Sequence, residues 1–190
     1  FQLLRAERTD DFPVLRLPSA ADDGHDAVVG DGRQKSSGTL RVTIAEDAVL
    51  LREGMARLLR ESGFEVVGQS GTAGDLMLKV RSYAPDVAIV DIRMPPTQTD
   101  EGLRAAREIR ERHPDVGVLV LSQHVEPDYA MELLAESAEG VGYLLKDRVS
   151  DIDEFAAAVR RVAEGGSALD PALVTQLVGR RRKRGPLDDL

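Results

Sequence analysis

A chain of 190 residues has room for one ordinary domain with extensions, and a 42% hydrophobic content is enough to fill a real core. With 33 acidic against 25 basic residues the formal charge is -8, which argues against an electrostatic grip on nucleic acid or an anionic membrane by the chain as a whole. There is no cysteine, which rules out disulfides and cysteine-zinc sites and fits a reducing cytoplasm, and no apolar run nears the roughly 18 residues needed to span a bilayer.

Residues 1–38 carry short apolar fragments such as FPVLRLP, broken by SAADDGHD and GDGRQKSSG, with no sustained period, and they read as a disordered extension. The amino terminus lacks the layout of a secretory signal, and a start on Phe1 rather than Met suggests a trimmed or processed chain. From Leu40 onward apolar runs alternate with amphipathic segments. The runs are LRVTIA (40–45), FEVVGQS (64–70), DVAIVD (86–91), VGVLVLS (116–122) and GVGYLL (140–145), and the nearly all-apolar ones suit parallel strands covered on both faces. Between them, Leu51, Met55, Leu58 and Leu59 share one helical face, as do Ala73, Leu76, Met77 and Val80, and later Ile152, Phe155, Ala156 and Val159.

Asp100 is placed to cap a third helix with Leu103, Ala106 and Ile109 inward, ending at His113-Pro114. A fourth is expected from about Asp128 to Ser137, with Ala130, Leu133 and Leu134 inward. Five strands alternating with five helices call for right-handed crossovers and an α/β fold: a doubly wound, five-stranded parallel sheet with helices on both faces. After Gly165-Gly166, DPALVTQLV (170–178) predicts a further short helix with Pro171 in its first turn, and RRRKR (180–184) reads as a solvated basic linker. The expected organisation is an extension over 1–38, one domain over 39–166, and a linker helix with a basic linker over 167–190.

In an open α/β sheet, ligands bind beyond the carboxyl ends of the strands. The first strand ends in Glu46-Asp47, the third in Asp91, the fourth in Ser122 and the fifth just before Lys146. Carboxylates gathered on one rim repel each other unless a cation joins them, and oxygen-only ligands suit a hard ion such as Mg²⁺. Asp91 is then placed as a nucleophile toward a phosphoryl group, with Asp47 and Asp91 holding the cation, Glu46 in support, and Lys146 and Ser122 facing the transferred phosphate. A carboxylate is a weak nucleophile, so alignment and charge neutralisation must carry such a reaction.

The stretch from about Leu40 to Gly165 resembles a response-regulator receiver domain: an acidic pair after the first strand, Asp in IVDIRMP, a hydroxyl after the fourth strand, and GYLLK at the fifth. GYLLKD and the later EGG resemble the NarL/FixJ (LuxR-type) transcriptional regulators, and the closing LDDL resembles the lead-in to their helix-turn-helix domain, which is missing here. The resemblance implies a flavodoxin-like strand order 2-1-3-4-5. It implies Asp91 as phosphoacceptor for a sensor histidine kinase, Glu46 and Asp47 as the Mg²⁺ pair, Arg93 as donor of a backbone carbonyl to the ion, and Ser122 with Lys146 as the phosphate-sensing pair. Tyr143 is implied as the aromatic switch, with dimerisation on phosphorylation and DNA contact only through the absent domain. Gln123, Asp147 and the long MPPTQTDEGL loop depart from the usual pattern.

Each residue has an ordinary reading when taken singly. Asp91 could be a turn residue, Glu46-Asp47 a helix-start pair, Ser122 a strand end, Lys146 a solvated cation and Tyr143 core. Ordinary readings do not supply all four positions at the right strand ends in the right order. Arg93 and His124 line the expected entrance to the acceptor and are expected to tune hydrolysis of the acyl phosphate. Three other readings compete. A metal-dependent aspartyl-phosphate phosphatase of the haloacid dehalogenase type needs a second acid two residues on, where this chain has Arg93. A nucleotide or flavin binder needs a glycine-rich first turn, where this chain has EDAVLLREG. A pseudo-receiver that only docks partners would be expected to lose an acidic group or the lysine, and none is lost.

Overall fold

The period-2 alternation of the apolar runs divides their side chains between the two faces of one sheet. This is a computed structural model that describes residues 38–183 together with the backbone of 8–9 and 12–13. The expected disorder of 1–38 falls almost wholly outside the described residues; within that stretch Arg8–Thr9 and Phe12–Pro13 pair as short antiparallel strands. The sheet proper contains β1 (Arg41–Ala45), β2 (Glu65–Ser70), β3 (Val87–Asp91), β4 (Gly117–Ser122), β5 (Val141–Leu145) and β6 (Ser167–Leu169), in the order β2-β1-β3-β4-β5-β6. All neighbouring strands in it run parallel.

Helices α1 (Val49–Glu61) and α5 (Ile152–Ala163) cover one face, where Met55, Leu59 and Phe155 pack on Ile44, Ile89, Leu119 and Leu144. The other face is covered by α2 (Ala73–Tyr83), α3 (Glu101–Arg112), α4 (Pro127–Leu134) and α6 (Pro171–Lys183). There Leu76, Ile109, Leu133 and Leu173 meet Val90, Val120 and Tyr143. Adjacent residues of one strand thus feed opposite cores, as Ile89 and Val90 do. Among the described residues no helix is long and apolar enough to cross a membrane.

Three expectations need correction. The sheet has six strands rather than five, because Ser167–Leu169 pairs with Val141–Tyr143 along the edge. A three-residue strand is too short to show a period, yet Ala168, Leu169 and, from α6, Leu173 are buried, so the chain beyond 166 is still part of the packed body. Asp100 stands at the start of α3, but its carboxylate accepts from Arg104 Nε at 3.0 Å and caps no helix amide. Finally, α4 stops at Leu134 rather than near Ser137. The Arg110 guanidinium on α3 takes the carbonyls of Ser137 and Glu139 at 2.7 and 3.2 Å, which holds that segment as a loop.

Candidate functional site

Register alone brings the strand-end residues together. Ala45 pairs with Val90, so Glu46 follows on beside Asp91; Asp91 pairs with Leu121, so Ser122 lies one step further; and Ser122 pairs with Leu145, directly before Lys146. The result is one acidic cluster at the carboxyl edge, in which Glu46, Asp47 and Asp91 each offer an oxygen within 4.8 Å of the others. Lys146 Nζ lies 2.8 Å from Glu46 Oε2 and 3.0 Å from Asp91 Oδ2. Glu46 Oε1 accepts from the Ala48 amide at 3.0 Å, and Asp91 Oδ1 from the Arg93 amide at 3.3 Å.

The electrostatics follow from burial. Glu46 and Asp91 are almost wholly buried, and desolvation pushes both carboxyls above their usual range, opposed by Lys146 and reinforced by the neighbouring acids. Burial works against the Lys146 ammonium too, but the two carboxylates outweigh it and hold its pKa up. Asp47 is only half-buried; burial raises its carboxyl, and hydrogen bonds led by that from Gln98 Nε2, at 2.7 Å from Oδ2, bring it below the usual range. Three acids therefore share one ammonium. An all-oxygen set of this kind, with a surplus of negative charge, fits a hard divalent cation.

The start of α3 is pressed onto the end of β3. A Cβ on Gly102 would stand 1.7 Å from the Asp91 carbonyl oxygen, and the Gly102 amide donates to Ile92 O at 2.9 Å. Ahead of it, the Glu101 carboxylate binds the Thr97 hydroxyl and the Thr97 and Thr99 amides, which holds its carboxyl down to about 2.

A second cluster flanks the acids. Ser122 Oγ donates to His124 O at 2.8 Å and to Glu126 Oε2 at 3.1 Å, and Tyr143 Oη donates to the same His124 carbonyl at 3.1 Å. The Glu126 amide donates back to Tyr143 Oη at 3.2 Å, while its Oε1 is paired with the Arg93 guanidinium. So the hydroxyls of Ser122 and Tyr143 are joined through one backbone carbonyl. Arg93 reaches this loop as well, but His124 contributes its backbone, and its side chain is exposed. Sequence reasoning missed Gln98, Glu101 and Glu126. Gln98 lies in a loop, Glu101 opens α3 and Glu126 directly precedes α4, and the partner of each is fixed by how the adjoining loop folds rather than by any local pattern.

Residues 42–160 match the family model for the response regulator receiver domain. The transcriptional regulatory protein DegU from Brevibacillus brevis is 36% identical over 151 residues, covering 79% of this chain and 61% of that protein. The regulatory protein NarL from Mycobacterium tuberculosis is 35% identical over 146 residues, covering 76% and 64%. Among solved structures, the signal receiver domain of that NarL superposes with a TM-score of 0.59 at 32% identity, over 67% of this chain and 98% of the other. A LuxR-family two-component response regulator from Aurantimonas sp. gives a TM-score of 0.65 at 26% identity, over 76% and 99%. The chain belongs to the response-regulator receiver family, with relatives of the NarL and DegU type, and it spans a little over 60% of the length of these curated relatives.

Proposed function

We propose that Asp91 is the phosphoacceptor of this receiver and that a sensor histidine kinase is its donor. The observation that supports this most directly is Lys146, whose ammonium lies within 3.0 Å of both Asp91 and Glu46 at the centre of the acidic cluster. One Asp91 oxygen bonds to phosphorus as the phosphorus–nitrogen bond of the donor phosphohistidine breaks, and the imidazole leaves. Glu46, Asp47, Asp91 and the Arg93 carbonyl are the residues that would hold Mg²⁺, which when bound neutralises charge on the phosphoryl oxygens. Lys146 is positioned to stay with the transferred group and balance its charge.

The switch begins at Ser122. Its hydroxyl leaves His124 O and Glu126 for a phosphoryl oxygen, and Tyr143, bound to the same carbonyl, follows the loop as it moves. Arg93 and His124 at the entrance tune how fast water removes the phosphoryl group. The role is regulatory rather than that of an enzyme with its own turnover. Phosphorylation promotes homodimerisation in the cytoplasm, and DNA is reached through a domain beyond this chain.

The test is intact-protein mass spectrometry after incubation with acetyl phosphate and Mg²⁺. A single phosphoryl adduct is expected on the unaltered chain and none on Asp91→Asn. No adduct on either would favour a docking module that binds partners without being modified.

A further inference from the structure

The loop between β3 and α3 reaches back over the acidic cluster. Gln98 sits in it with φ of 59°, in the left-handed region that a residue with a side chain adopts at a cost, and its amide donates to Met94 O at 3.0 Å. From there its side chain crosses 51 positions of sequence to give Asp47 Oδ2 a 2.7 Å hydrogen bond. Glu101, one turn further on, holds the loop in this shape. Its carboxylate takes the Thr97 amide at 2.9 Å and the Thr99 amide at 3.1 Å, on either side of Gln98, and takes the Thr97 hydroxyl too.

We infer that Gln98 is a positioning residue for the cation site: its amide holds the Asp47 carboxylate turned toward Glu46 and Asp91, and Glu101 holds Gln98. A carboxylate has about four acceptor sites on its two oxygens, so one amide hydrogen leaves ample capacity for an ion. Asp47 is the most exposed of the three acids, and so the one whose side chain has the most freedom to lose on binding. A partner that orients a ligating carboxylate typically contributes ten- to a hundredfold in metal affinity. Gln98 is itself exposed, so its contribution falls at or below the low end of that range. Gln98 touches neither Asp91 nor Lys146 by any hydrogen bond seen here, so its effect should fall on the ion rather than on phosphoryl transfer.

The inference rests on the proposed cation site, and the experiment separates the two. Isothermal titration of Mg²⁺ into the unphosphorylated full chain is expected to give a Kd for Gln98→Ala weakened by roughly three- to tenfold, at unchanged Tm. Glu101→Gln should weaken binding in the same direction, and the double variant by less than the product of the two, because both act through one hydrogen bond. With acetyl phosphate, Gln98→Ala should need more Mg²⁺ for half-maximal phosphorylation yet reach the unaltered rate at saturation. Unchanged Mg²⁺ affinity in Gln98→Ala would overturn the inference alone, and tighter binding would also overturn it by showing that the amide competes with the ion. Failure of the unaltered chain to bind Mg²⁺ would sink the cation site and the inference together.

Discussion

At the scale of single residues, the Asp91 main chain is held by a contact that tolerates no side chain opposite it. Gly102 lies in the first turn of α3, where an alanine Cβ would meet the Asp91 carbonyl oxygen at 1.7 Å and the carbonyl carbon at 2.7 Å. Neither atom belongs to a flexible side chain, so relief requires the helix or the strand to move. Gly102→Ala is expected to cost about 3 kcal/mol, more than enough to override the better helix propensity of alanine. It should also slow phosphorylation, because the displaced backbone carries Asp91, the proposed acceptor. A Tm equal to that of the unaltered chain would show that α3 shifts freely and that the contact positions nothing. The sequence marks Gly102 only as a helix glycine, since the atom it spares lies in another element.

The elements show where pattern reading succeeds and where it stops. Every expected strand of the central five begins one residue before the observed one and ends with it, as LRVTIA against Arg41–Ala45 does, because long apolar runs bounded by helical periods carry a strong signal. The order of rim residues along those strands was legible for the same reason, since strand ends in a parallel sheet share one edge. What could not be read was β6 and the anchor after it. Asp170 looks like a helix start and does bind the Ala172 amide at 3.0 Å, but it is wholly buried and also takes the Leu145 amide at 3.1 Å and Arg148 Nε at 3.0 Å. It thereby ties α6 to the segment that carries Lys146. Burial pushes its carboxyl up, but Arg148 and the two amides together bring it below the usual range. The sign follows: the stabilisation is fully present above the unfolded carboxyl value of about 3.9 and is lost as pH falls through the lower folded value. Asp170→Asn should therefore lose about 2 kcal/mol near neutral pH, and the gap to the unaltered chain should close in acid. Urea unfolding at neutral and at acid pH measures both, and a gap that persists in acid would show that packing rather than charge carries the anchor.

For the molecule as a whole, the fold places an electrostatic liability at the edge where the six parallel strands end. Glu46, Asp47 and Asp91 converge there against the single ammonium of Lys146, so the folded chain carries unbalanced negative charge that the unfolded chain, with its acids dispersed in water, does not. A cation that binds the assembled cluster and not the separated residues must then stabilise the fold by mass action. At a free Mg²⁺ concentration a hundredfold above Kd the gain is about 2.7 kcal/mol. Unfolding free energies from urea titrations in Mg²⁺ and in EDTA are expected to differ by that amount at the same m-value, since the surface exposed on unfolding is unchanged. Asp47→Asn neutralises the most exposed of the acids, a proposed ligand, and keeps an oxygen for Gln98, so in EDTA its stability should stay within about 0.5 kcal/mol of the unaltered chain. In Mg²⁺ most of the gain should vanish. Equal Mg²⁺ stabilisation of both proteins would mean that the ion acts elsewhere on a chain of net charge -8, and that the strand-end acids are not its site.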